Sequence, residues 1–379
     1  MIKHVKIKHM NAACSIIASN YAPQARYLIE SLRVTNPELK FLLLVTDSAV
    51  LPDPFFSDVD IIFPHSLNID TEKMTLMTLL YDKVEFATAL KPFLLSYILN
   101  QSTDFETVTF LDPDIEVFAS LELGIELAKV NTVALTPHRL KPTSVTNSPF
   151  DETELLRYGT FNLGYICVSK EAKLMLEWWK NKLELQCTRF PDSDVFTDQK
   201  WINLLPGYFD FAIVRNSGYN VSSWNIDERS ISKQENIYFA GSDRIVFIHY
   251  SQMSGELAKG GETPHWKSNS IKNDLASQLL IGELTANYAR KLQEYSRYLA
   301  RNNKAISNQI TSALIREKQI NLLRINTSRK PIRHRIHVIK LLNFFTRIER
   351  SSTYMGVVRG LRNDVMRLKN KVKRKNLPF

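Results

Sequence analysis

Thr107-Val108-Thr109-Phe110-Leu111-Asp112-Pro113-Asp114-Ile115-Glu116-Val117 is an apolar run that stops abruptly at an acidic turn. β-Branched and aromatic residues in a run this short read as a buried strand, so Thr107 to Leu111 is assigned to one. Asp112 and Asp114, two residues apart just past its end, fall on the same side of the local chain and can share one hard cation through oxygen ligands. Mg²⁺ or Mn²⁺ held there would meet a diphosphate, whose departure leaves negative charge for a Lewis acid to neutralise. Taken alone, the same residues also describe a common turn, with Asp112 as a cap and Pro113 setting the backbone.

The neighbourhood of this stretch decides between the two. Ala12 to Ala18 reads as a strand, Gln24 to Arg33 as a helix and Phe41 to Val45 as a second strand ending at Thr46-Asp47. Asp58 to Phe63 follows as a third strand and Glu85 to Asn100 as an amphipathic helix leading into Thr107. Further on, Thr132 to Thr136, Tyr165 to Val168 and Ile245 to His249 read as strands, and Glu171 to Leu185 and Phe196 to Leu205 as helices. Strands alternating with helices predict an α/β fold with a mixed, mainly parallel Rossmann-like sheet, flanked by helices, whose ligands sit beyond the carboxyl ends of the strands. Asp112 and Asp114 stand at such an end, which favours cation binding.

The chain has 379 residues, 44% apolar and 23% charged, enough for one large domain with an appendage or for two domains. The boundary is placed near residue 270: residues 1–270 form the nucleotide-binding part, and residues 271–379 a helical extension. Leu275 to Arg316 reads as a long helix and Pro331 to Lys375 as broken basic helices. The net charge of +10 belongs to the end of the chain, where residues 316–379 hold 18 Lys and Arg against 3 Asp and Glu. A basic amphipathic segment of this kind suits an anionic membrane surface, or else packs on the rest of the chain with a solvated face; nucleic acid is the rival partner. Three widely spaced cysteines, Cys14, Cys167 and Cys187, suggest free thiols in a reducing compartment. The lysine-bearing start reads as a first strand rather than a secretory signal, because Asn11 and Ser15 interrupt its apolar run.

Four segments together with a late strand resemble the GT-A fold glycosyltransferases of the glycogenin and lipooligosaccharide galactosyltransferase type, glycosyltransferase family 8. Ser15-Ile16-Ile17-Ala18-Ser19-Asn20-Tyr21 resembles the nucleotide-binding start, and Leu111-Asp112-Pro113-Asp114 the DxD element. Phe161-Asn162-Leu163-Gly164-Tyr165 is similar to the family's F-N-x-G strand, and Asp198-Gln199-Lys200-Trp201-Ile202-Asn203 to its D-Q-x-x-x-N helix. Ile248-His249-Tyr250-Ser251 is similar to H-F-x-G, although Gln252 stands where the glycine would be and K-P-W does not follow.

The resemblance spans about residues 12 to 255 and implies a metal-dependent transferase of sugar from a nucleotide-sugar, typically a UDP-sugar, to a glycan or lipid-linked acceptor in bacterial surface polysaccharide synthesis. It implies that Asp112, Asp114 and His249 hold the metal, and that Ala18, Asn20, Tyr21 and Asp47 receive the nucleoside. Lys91 would then neutralise phosphate, Asn162 and Gly164 would approach the donor, and Asp198 and Gln199 would lie near the reacting centre. Retention of configuration is the expected outcome, and an inverting enzyme would need a base, for which Asp151 and Asp198 stand as the carboxylates. The expected place of work is the cytoplasm, peripheral to the inner face of the membrane.

Two other classes stay open on sequence: a sugar nucleotidyltransferase, disfavoured by the lack of an early glycine-rich, lysine-bearing loop, and a non-catalytic protein that keeps the fold. Trp178, Trp179, Tyr208 and Phe209 could stack on sugar rings, although aromatics at these spacings are usually core. Asn220-Val221-Ser222 matches a glycosylation acceptor.

Overall fold

The computed structural model describes residues 10–47, 55–101, 105–143, 150–189, 195–251, 253 and 275–302. In chain order the elements are β1 (Met10–Ile17), α1 (Ala22–Thr35), β2 (Lys40–Val45), β3 (Asp60–Ile62), α2 (Thr71–Leu80), α3 (Lys83–Ala89) and α4 (Lys91–Gln101). There follow β4 (Phe105–Leu111), β5 (Ile115–Val117), α5 (Glu122–Asn131), β6 (Val133–Pro137), α6 (Glu152–Tyr158), β7 (Phe161–Ser169), α7 (Lys173–Gln186) and α8 (Gln199–Ile202). The last are β8 (Ala212–Ile213), β9 (Ile231–Gln234), β10 (Ile237–Ala240), β11 (Asp243–Arg244), β12 (Phe247–His249) and a long helix, here α9 (Leu275–Asn302).

Seven strands form one sheet in the order β3-β2-β1-β4-β7-β6-β8. The pairs from β3 to β4 are parallel, and β7 runs antiparallel to both of its neighbours. The α/β class with a mainly parallel, helix-flanked sheet is therefore observed. Apolar side chains of successive strand residues point alternately into two cores: Cys14, Ile16, Phe110 and Ile166 to one face, Ala13, Ile17, Leu111 and Tyr165 to the other.

Several elements differ from their sequence assignments, each for a local reason. The single helix expected over 85–100 is two, because Pro92 lacks an N–H and its ring crowds the carbonyl four residues back. The first begins with a capping box, Asp82 accepting from Val84 and Glu85 while Glu85 reaches back to Asp82. The strand expected over 165–168 starts at Phe161, so Asn162 and Gly164 lie inside β7. The helix over 196–205 is one turn, Gln199–Ile202, followed by a 3₁₀ turn at Leu205–Gly207 that holds Pro206. The strand over 245–249 begins only at Phe247 and pairs with β5, outside the large sheet.

The long helix α9 carries Ile281, Leu284, Tyr288, Leu292 and Tyr295 at intervals of three, four, four and three, and all five are buried. The first four pack with Val221, Ile226, Ile248 and Tyr250, while Tyr295 packs against Phe55, and both Tyr288 and Tyr295 meet Tyr27 of α1. At about 2 kcal/mol per buried apolar side chain this face contributes roughly 10 kcal/mol before ordering costs. The proposed boundary near 270, the continuation of the helix past 302 and the basic segment 316–379 lie outside the described residues.

Candidate metal and nucleotide site

Three segments far apart in sequence meet at the carboxyl end of β4, and the strand pairings explain why. β7 is antiparallel to β4, so its beginning lies beside the end of β4: Leu111 pairs with Tyr165, and Asp112 N–H donates to the carbonyl of Gly164 at 2.8 Å. The turn at Asp112-Pro113-Asp114 leads into β5, whose antiparallel pairing with β12 sets His249 opposite Ile115. Asp112, Asp114 and His249 thereby bring one ligand atom each within 4.8 Å of one another. His249 Nε2 lies 3.1 Å from Asp114 Oδ1 and 3.8 Å from Asp112 Oδ2. The His249 side chain is 4% exposed, against 12% for Asp114 and 28% for Asp112, so the cluster opens to solvent on its aspartate side.

The tautomer of His249 follows from its neighbours. Asn162 Oδ1 accepts from the Gly164 N–H at 3.1 Å and from Asn220 Nδ2 at 3.2 Å, which identifies it as the oxygen. His249 Nδ1, 3.2 Å away, must therefore carry a proton and donate to it. The other nitrogen, Nε2, is left to offer its lone pair toward the aspartates. Two carboxylate oxygens and an imidazole nitrogen suit a divalent cation of borderline hardness such as Mn²⁺, so the donor set fits. Burial alone would lower the His249 pKa, but Asp114 and then Asp112 outweigh it and hold it above its ordinary value.

Gly164 has a reason different from close approach of a ligand. A Cβ there would stand 2.4 Å from His249 Cε1, 2.6 Å from Nδ1 and 2.8 Å from Asn162 Oδ1. It is the imidazole that needs the space. Gly164→Ala is expected to cost about 1–3 kcal/mol through overpacking, and to weaken Mn²⁺ binding about 10- to 100-fold by displacing the ring. Isothermal titration of Mn²⁺ beside a urea melt checks both, and unchanged affinity would mean the ring does not serve the cluster.

Lys91 is buried and not solvated. Its Nζ lies 3.0 Å from Asp198 Oδ2 and 3.3 Å from Asp112 Oδ1, donates to the Leu163 carbonyl at 2.8 Å, and sits 4.6 Å from the centre of the Phe110 ring. Burial pulls its pKa down, but Asp112 and Asp198 reverse the direction and raise it. Burial raises the Asp198 pKa, with Lys91 pulling the other way. Asp198 immediately precedes α8 and makes no side-chain cap. Gln199 donates through Nε2 to the Tyr158 carbonyl at 2.8 Å, which ties α8 to α6.

At the same sheet edge, the turn after β1 is clamped by Asp47, which accepts from Ser19 N–H at 2.8 Å and from Ser19 Oγ at 2.6 Å. Ala18 is buried, Tyr21 half-buried and Asn20 exposed. Asp151 caps α6 by accepting from Thr153 and Glu154. Trp179 is core, its Nε1 donating to the Asp198 carbonyl, and Trp178, Tyr208 and Phe209 cluster with one another. Asn220 is fully buried, which denies the sequon a glycan in the folded chain.

The site also holds His138, Glu116 and Trp224, which no motif in the sequence marks. Trp224 meets the His249 ring edge-on at 5.2 Å and His138 at 5.5 Å. His138 Nε2 is 3.3 Å from Asn162 Nδ2, an amide that can only donate, so His138 must be the acceptor there. Burial depresses its pKa from 6.5 to about 4. The unfolded chain then binds more protons than the folded one between those values, so stability is present above pH 6.5 and is lost as pH falls toward 4, by about 3 kcal/mol. His138→Gln, which keeps an acceptor but cannot charge, is expected to lose correspondingly less between pH 7 and 4 in denaturant melts.

No family model matches the chain. YfnF, an uncharacterised protein of Bacillus subtilis (strain 168), is 23% identical over 248 residues, 64% of this chain and 81% of the relative. Among solved structures, the galactosyltransferase LgtC, in complex with donor and acceptor sugar analogues, is 14% identical with a TM-score of 0.43, covering 73% of this chain and 96% of that one. Glycosyltransferase GlyE of Streptococcus pneumoniae TIGR4 is 15% identical with a TM-score of 0.40 over 76% of this chain and 64% of its own. The bifunctional WbbM is 14% identical with a TM-score of 0.41 over 76% and 52%. These three solved structures are glycosyltransferases.

Proposed function

We propose that the chain is a divalent-metal-dependent glycosyltransferase that moves a sugar from a nucleotide-sugar to an acceptor hydroxyl. The observation that carries this reading is the convergence of Asp112, Asp114 and His249 at the carboxyl edge of the sheet, with their ligand atoms within 4.8 Å. A bound Mn²⁺ or Mg²⁺ supplies Lewis-acid neutralisation of the diphosphate leaving group. The chain's own residues do the rest. Asp112, Asp114 and His249 hold the cation, Asn162 keeps Nε2 of His249 turned toward it, and Lys91 fixes Asp112 and adds positive charge on its buried side. The turn Ala18 to Tyr21, clamped by Asp47, receives the nucleoside of what we read as a UDP-sugar.

Neither carboxylate considered for an inverting base is placed for it: Asp151 is spent on a helix cap, and Asp198 is buried against Lys91. That supports retention, with the departing phosphate taking the acceptor proton and Gln199 beside the donor. In this reading Asp198 acts through Lys91. We read residues 1–270 as the catalytic unit and 271–379 as an extension, and the acceptor as a glycan or lipid-linked glycan of bacterial surface polysaccharide synthesis. No helix among the described residues is long and apolar enough to cross a membrane. Work at the cytoplasmic face, with segment 316–379 seeking anionic lipid, is part of the proposal and rests on charge.

Incubation with a panel of nucleotide-sugars and Mn²⁺, followed by release of nucleoside diphosphate, tests the reading. Slow hydrolysis of one UDP-sugar is the expected result. Cleavage of nucleoside triphosphates would instead favour a nucleotidyltransferase, and no turnover of either, without Mn²⁺ binding, would leave a fold kept for interaction alone.

A further inference from the structure

Glu116, two residues beyond Asp114, joins both halves of the cation cluster from behind. Asp114 immediately precedes β5, which pairs with β12 and so places Glu116 opposite Ile248 and Ile115 opposite His249. Tyr250, the next residue after His249, closes this pairing with two bonds. Its N–H donates to the Asp114 carbonyl at 2.9 Å, and its hydroxyl donates to Glu116 Oε2 at 2.9 Å. The other carboxylate oxygen, Oε1, accepts from the Tyr27 hydroxyl of α1 at 2.5 Å. Tyr250 is stacked on Tyr288 of α9, centroids 3.9 Å apart and planes 17° from parallel, and Tyr288 also meets Tyr27 at 5.7 Å.

We propose that Glu116 is a positioning residue of the cation site: it receives the hydroxyls of Tyr27 and Tyr250 together and so fixes the angle at which His249 faces Asp114. The inference rests on reading Asp112, Asp114 and His249 as ligands. Only a carboxylate offers an acceptor oxygen to each of two hydroxyl donors at once; a glutamine offers one oxygen and two donors. Keeping an acid half-buried here has a cost, since taking a charged group out of water is unfavourable unless it is hydrogen-bonded. A purely apolar contact between α1, α9 and β12 would avoid that cost, so the acid points to a geometric need. Groups that orient metal ligands without touching the metal typically change its affinity about 10- to 100-fold when lost.

The test is Mn²⁺ affinity of the full chain, by calorimetry and by the electron paramagnetic resonance signal of free Mn²⁺, beside urea melts. Glu116→Ala is expected to weaken binding about 10- to 100-fold, Tyr250→Phe to weaken it less while keeping the ring stack, and Glu116→Gln to recover part of the loss. Glu283→Ala, which removes an exposed carboxylate held by Lys233 and Tyr238 on the outside of α9, is expected to bind as the parent does. Parent-like affinity in both Glu116→Ala and Tyr250→Phe overturns the inference, and Tyr250→Phe decides alone should Glu116→Ala fail to fold. Loss of binding in Asp114→Asn with no change in those two variants sinks this inference and leaves the ligand reading standing. Absence of Mn²⁺ binding in the parent, or parent-like binding by Asp114→Asn, removes the ligand reading and this inference with it.

Discussion

Replacing Lys91 by methionine is expected to destabilise the fold by about 3–5 kcal/mol, the usual consequence of removing one partner from a buried ion pair. Methionine keeps the unbranched stem over Phe110, so the loss isolates the charge. What it leaves behind is Asp198, 2% exposed, with no cation to compensate it. The Asp198 pKa is already raised from 3.8 by burial with Lys91 in place, and without Lys91 it rises further. A carboxyl whose folded pKa lies above its unfolded one contributes stability that is present below the unfolded pKa and is lost as pH rises through the folded value. The variant should therefore be most impaired at neutral pH and recover as pH falls toward 4. Lys91→Met combined with Asp198→Asn should regain most of the loss at pH 7, giving a large coupling in a double-mutant cycle read by urea unfolding. Additive effects would show that the pair does not hold this corner of the site.

Asp114→Asn is expected to lower donor hydrolysis roughly a thousand-fold, about 4 kcal/mol of leaving-group stabilisation. The amide keeps the volume and one oxygen but removes the charge that faces His249 Nε2. Its backbone bond from Tyr250 is untouched, so the fold should persist. Two measurements must agree: Mn²⁺ titration should show binding lost, and a chelator should bring the parent to the rate of the variant. A variant that still binds Mn²⁺ and still turns over would put the cation elsewhere.

Much of this was legible from residue order because it depends on local rules. An apolar run ended by Asp112-Pro113-Asp114, strands alternating with helices, and a histidine closing a late apolar strand each follow from neighbours in sequence. The misreadings came from pairings that link distant segments. Nothing near Asn162 or Gly164 says that β7 runs against β4, yet that direction alone brings them to the ligand edge, where Gly164 yields space to an imidazole 85 residues later. Lys91 stands where the helix is interrupted ahead of Pro92, and its burial there is not written in the residues around it. Glu116 follows the acidic turn with nothing local to mark it, because its two partners lie in α1 and after β12.

The ladder between β5 and β12 also constrains when the centre can exist. Glu116 and Tyr250 are separated by 134 positions, so a ribosome must deliver most of the chain before His249 can face Asp114. A contact this remote closes late in folding, because its loop entropy is met only after nearer pairings are in place. The nascent aspartates therefore offer a cation two loose carboxylates and no imidazole, and an ion that binds only the finished site would stabilise it by mass action without acting as a seed for its assembly.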